Sequence, residues 1–101
     1  MEINAMDFKT VLLEYVEKRD KLFDDYCKGS SWAEMCHNPE ASIWYADNIV
    51  PLNKRIVLYA NMVMSQYNLP GGVQRTIKDV YNNMPLIDLL NKTKKERENT
   101  K

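Results

Sequence analysis

Histidine, cysteine and glycine are all scarce in this chain, and each scarcity excludes a kind of chemistry. A single histidine, His37, rules out any metal site built on two imidazoles. Cys27, Cys36 and His37 supply three zinc-ligand types at C-x8-C-H spacing, but structural zinc takes four ligands and usually a closely spaced cysteine pair, which is missing. Cys36 and His37 are neighbours in sequence, and adjacent side chains on a helix do not face each other, so a thiolate–imidazole pair is not expected. Of the three glycines, Gly71 and Gly72 follow Pro70 and read as a turn, and no glycine-rich loop ends in the Lys-Ser or Lys-Thr of a phosphate cradle. With no nucleophile–base pair, metal cluster or cofactor motif, the sequence gives no reason to expect an enzyme, a metal or a cofactor.

Long apolar runs and surplus charge are missing too. The longest unbroken apolar run is five residues, Ile56–Ala60, far short of a membrane span. The basic–apolar–small pattern of a secretory signal does not occur, which favours a cytoplasmic location with Cys27 and Cys36 as free thiols. Fourteen basic and fourteen acidic residues cancel, so no global field draws the chain to nucleic acid or anionic lipid. The charge is unevenly placed, however. Residues 29–48 carry Glu34, Glu40 and Asp47 without a Lys or Arg, whereas residues 92–101 hold five bases and two acids.

Apolar residues recur at helical spacing throughout, and no useful length alternates at period two. The chain therefore reads as all-α: a compact bundle of five to six short helices. A first helix is expected from about Asn4 to Lys28, ending at Gly29. Its apolar face holds Phe8, Val11, Leu12, Tyr15, Leu22, Phe23 and Tyr26, and Glu14–Lys18 and Glu17–Lys21 are spaced for ion pairs on the other side. Ser31 and Glu34 form a capping-box pattern that opens a short helix, and Asn38-Pro39 starts the next, with Asn38 as cap. In Pro39–Val50 the residues Ile43, Ala46 and Val50 share a face, while Trp44 and Tyr45 point elsewhere.

Pro51 breaks or kinks the chain before the central helix, about 52–68. Its segment Ile56–Leu69 is apolar at ten of fourteen positions, so it lacks a proper solvent face and needs cover on most sides. Beyond the Pro-Gly-Gly turn, Val73, Ile77, Val80, Tyr81 and Met84 make an amphipathic stripe over 73–84. Pro85 limits that helix and starts a last one, Leu86 to about Lys92. Residues 1–92 are thus one helical domain, and residues 93–101, with no apolar side chain, form a polar tail expected to fray or be disordered.

Binding is what remains, and the preferred partner is another protein. Trp32, Trp44 and Tyr45 cluster in the stretch without Lys or Arg, and beside Glu34 and Glu40 they would make an aromatic, acid-rimmed patch suited to a basic partner surface. An inhibitor, immunity or adaptor role fits such a small module, acting by occluding a partner surface. The bland alternative for these rings is core packing under the first helix. A second copy of the chain is a further candidate partner if short neighbours leave the central helix uncovered. The alternative from another class is a helix-turn-helix regulator whose 73–84 helix presents Gln74, Arg75, Lys78 and Asn82 to nucleic acid. Zero net charge and a turn that looks too long weigh against it. Arg19 interrupts the apolar stripe of the first helix. It reads as an internal ion pair with Asp47, Asp79 or Asp88, as a guanidinium stacked on tyrosine, or as a docking anchor.

Overall fold

The computed structural model describes residues 7–99, and the described residues are all-helical with no strand. Six helices follow in order: α1 (Phe8–Cys27), α2 (Trp32–Met35), α3 (Pro39–Asn48), α4 (Val50–Gln66), α5 (Ile77–Asn82) and α6 (Met84–Asn99). The expected first residues of the first helix, 4–6, lie outside the described residues. No described helix is long and apolar enough to cross a membrane.

Local sequence sets most of these limits. The Asp7 carboxylate accepts from the Lys9 backbone N–H and caps α1. At the other end Lys28 itself turns left-handed, at φ 49°, and Gly29 follows at φ 94°, so the reversal starts one residue before the glycine expected to make it. The Ser31–Glu34 capping box forms as expected: Ser31 Oγ accepts from Glu34 N at 3.2 Å, and Glu34 Oε1 accepts from Ser31 N at 3.3 Å. Asn38 holds the extended backbone of a cap, but its side chain makes no capping bond. Pro51 sits in the first turn of α4, where its missing N–H does no harm. Only Ile49, fully buried and itself in right-handed helical backbone, separates α3 from α4, so the proline accompanies a one-residue break between two helices.

Packing centres on α4, whose main partner is α1. Leu52, Ile56, Ala60, Val63 and Met64 lie on one face of α4 and are buried against Leu12 and Leu13 of α1, Val80 of α5, and Leu86 and Leu90 of α6. Cover is less complete than the composition of α4 suggests. Leu58, two residues and so roughly 200° from Ile56, is 52 % exposed, and Tyr67 is also exposed. The central helix thus has an outer face, and that face is partly apolar.

The segment after α4 departs furthest from expectation. The amphipathic stripe predicts a helix over 73–84, whereas α5 spans only Ile77–Asn82, and Val73 and Met84 are exposed. Two local features shorten it. Gln74 is held outside the helix by Asn61, whose Oδ1 accepts from Gln74 N at 2.7 Å and whose Nδ2 donates to Gln74 O at 2.8 Å. Thr76 and Asp79 then form a second capping box, with Asp79 N donating to Thr76 Oγ1 and Thr76 N to Asp79 Oδ2. At Gly71, φ is 130° and a Cβ would collide with the Asn83 carboxamide, so the loop passes where only glycine fits.

The last helix is longer than expected. It begins at Met84, with Asn83 Oδ1 accepting from Leu86 N, and it continues through Asn99 instead of ending near Lys92. The polar residues expected to fray are helical through Asn99, with Thr93 buried and Arg97 clasping Glu17 of α1. Glu17 therefore pairs with Arg97 and Lys21 with Asp25, in place of the expected Glu17–Lys21 pair.

Candidate interaction surface

Five aromatic rings meet where α1, α2 and α3 converge. The last two turns of α1 supply Phe23 and Tyr26, α2 supplies Trp32, and α3 supplies Trp44 and Tyr45. Tyr26 and Trp44 stack with centroids 4.1 Å apart and planes 15° from parallel. Trp32 stacks on Tyr45 at 5.3 Å, and Phe23 sets its edge against both tryptophans at 5.4 and 5.5 Å. Such offset and edge-on geometries suit the ring quadrupoles and add to the burial of the rings.

The structure therefore brings Trp32, Trp44 and Tyr45 together, as the sequence suggests, and joins them to Phe23 and Tyr26. Those two also belong to the apolar stripe of α1, and their three-residue spacing near its end is the signal that could have placed them here. All five rings are half-buried. Glu34 and Glu40 are exposed, as are Asp24, Asp25 and Asp47. The inward face of α3 is the reverse of the one the aliphatic spacing indicates: Ile43 is 65 % exposed and Ala46 is exposed, while Ala41 is fully buried and Trp44 and Tyr45 turn toward α1. Flat rings fill the gap between α3 and α1 better than the smaller aliphatic face does.

Arg19 resolves to the stacked arrangement. Its guanidinium carbon lies 4.8 Å from the Phe23 ring centroid and 5.3 Å from that of Tyr81. Its Nε donates to Asn53 Oδ1 at 2.6 Å. Asp47, Asp79 and Asp88 form no ion pair with it. A neutral amide and two ring faces thus accommodate the charge. Burial raises the Tyr81 phenol above its ordinary value, with Arg19 acting the other way.

The four residues expected to face nucleic acid do not share a helix face. Gln74 is buried at 3 % exposure, lies before α5, and donates its Nε2 to Gly72 O at 2.8 Å. Arg75 also precedes the helix, which leaves Lys78 and Asn82 exposed on six residues of α5. Cys27 is a buried free thiol, Cys36 an exposed one, and His37 is exposed. Among the described residues, no three of His, Cys, Asp and Glu group as metal ligands.

No family model matches this sequence, no curated protein resembles it, and no solved structure matches its fold.

Proposed function

We propose that this chain is a non-catalytic protein–protein interaction module that docks a basic partner surface on the aromatic end formed by α2 and α3. One observation carries the reading: five packed rings stay half-exposed, and three of them, Trp32, Trp44 and Tyr45, lie in the stretch 29–48 that carries Glu34, Glu40 and Asp47 and no Lys or Arg. Large rings already ordered against one another lose little freedom on binding, and the edges they leave open are the apolar part of a hot spot. The acids around it would steer a Lys- or Arg-bearing surface and speed encounter at low salt. A module that covers such a surface acts by occlusion, which is how an inhibitor, an immunity protein or an adaptor works.

Affinity capture from the native host tests this reading. A partner should be retained by the wild-type chain, elute as salt rises, and bind more than about tenfold more weakly to the Glu34→Lys/Glu40→Lys/Asp47→Lys variant. Met84→Glu, on an exposed side chain next to α5, should leave capture unchanged. Equal capture of the same protein by the wild-type and charge-reversed chains would exclude this surface.

A further inference from the structure

Tyr45 faces two neighbourhoods. Its ring belongs to the aromatic end, but its hydroxyl reaches a separate groove of about 380 Å³ between α3, the first turns of α4 and the residues leading into α5. Half-buried Val50, Val57 and Ile77 form an apolar lining, Lys54 and Arg75 stand exposed at the sides, and no acidic residue lines it. We propose that this groove binds a small amphipathic carboxylate, with a short apolar body on the valine–isoleucine lining and the anion held by the Tyr45 hydroxyl, Lys54 and Arg75.

The polar side of the groove is arranged as a donor set. Arg19 Nε donates to Asn53 Oδ1 at 2.6 Å, and Asn53 Nδ2 donates in turn to the Tyr45 hydroxyl oxygen at 3.2 Å. The phenol oxygen is thereby engaged as an acceptor, and its own proton has no acceptor among the described residues. A positive charge at the head of this chain polarises each bond in the direction that strengthens the last donor. Lys54 and Arg75 likewise have no side-chain ion pair or hydrogen bond among the described residues. The nearest acid on the α5 side, Asp79, has its carboxylate on the backbone N–H groups of Arg75 and Thr76 and does not line the groove. Two cations and a phenol proton around an apolar lining, with no acid in the lining itself, select one negative group on an apolar body, although Asp79 behind Arg75 offsets part of its charge. The volume falls at the small end of small-molecule sites. This inference does not depend on the aromatic end being a docking surface.

Octanoate, and octanamide as its uncharged counterpart, test the site in methyl-resolved NMR titrations of the full chain. Octanoate should shift the Val50, Val57 and Ile77 methyl signals saturably and leave those of Leu12 and Val63 in place. Octanamide should bind about tenfold more weakly, since it cannot form the charge-assisted bonds. Lys54→Gln/Arg75→Gln should weaken octanoate at least about tenfold, and Tyr45→Phe, which keeps the ring stacked on Trp32, a few-fold. These substitutions lie at exposed or half-buried positions, and an unchanged core methyl spectrum verifies the fold. Any of three results overturns the proposal: no saturable shift, equal binding of acid and amide, or shifts centred on Leu58 and Val73 instead of the groove. Loss of octanoate binding with partner capture intact would implicate the groove alone.

Discussion

The two ends of α1 solve the same packing problem with different materials. Toward its N-terminal half, aliphatic side chains from long α1, α4 and α6 and from short α5 interlock until Leu12, Ile56, Val63, Val80 and Leu86 are fully buried. Toward its C-terminal end, rings from one long and two short helices stack on each other, and none is fully buried. Helix length accounts for much of the contrast, with Val80 of the short α5 covered by the long helices around it. A twenty-residue α1 and a seventeen-residue α4 supply several turns to cover each other, whereas α2 has four residues and α3 ten. Complete shielding of an aliphatic side chain is worth roughly 1.5–3 kcal/mol, and half-exposed rings recover part of that through pair geometry at roughly 0.5–1.5 kcal/mol per contact. The aliphatic end should therefore carry most of the stability, leaving the aromatic end free to serve recognition.

Truncation at each end measures the difference. Ile56→Ala removes a side chain with no exposure from the middle of the aliphatic core and should cost roughly 2–5 kcal/mol in urea unfolding, a larger loss than any single substitution at the aromatic end. Trp44→Ala removes the ring stacked on Tyr26 but vacates a site open to water, so the loss should be nearer roughly 1–3 kcal/mol. The order of the two is the informative part. If Trp44→Ala destabilises the chain as much as Ile56→Ala, the rings are core in the full sense, and their use as a docking surface loses its physical basis.

The same contrast separates what could be read from sequence and what could not. The helical class, the break beside Pro51, the Ser31–Glu34 cap and the central place of α4 follow from spacing and side-chain chemistry within a few residues, which a sequence displays directly, whereas the apolar composition of α4 hid its exposed outer face. Three features depended on partners far along the chain. The inward face of α3 was decided by Phe23 and Tyr26, so aliphatic spacing within α3 alone pointed to the wrong side. The start of α5 was set partly by Asn61, thirteen residues before Gln74, although the Thr76–Asp79 box was a local signal that the amphipathic stripe obscured. Arg19 found an amide on α4 instead of a carboxylate, and no spacing rule names that partner. The aromatic candidates Trp32, Trp44 and Tyr45 were legible as a group because they fall within fourteen residues. The groove beneath Tyr45 was not, since its walls come from three segments brought together only by the fold.

The smallest expected effect concerns the far end of α6, where composition and structure disagree most. Arg97 donates to both Glu17 oxygens, at 2.7 and 2.6 Å, and this bidentate clasp ties the last turns of α6 to α1. The Arg97 hydrogen bond is the main cause that holds the Glu17 carboxyl below its ordinary value of 4.5, and the charges of Arg97 and Lys94 act in the same direction. A carboxylate depressed in the folded state stabilises it fully above the unfolded value, and the contribution fades as pH falls through the folded one. Both partners are substantially exposed, so solvent screening keeps the gain modest. Asp20 on the same helix has the opposite sign: burial raises its carboxyl, and acidification relieves that penalty. Global unfolding would mix the two, so the readout must be local. Backbone ¹³Cα shifts of residues 95–98 should lose helical character in Glu17→Gln at pH 6 and in the wild-type chain near pH 3, while tryptophan emission from the aromatic end stays constant. Undiminished helical shifts in both cases would show that the end of α6 holds without α1. The covered and open halves of the molecule would then differ less in their need for tertiary support than their packing suggests.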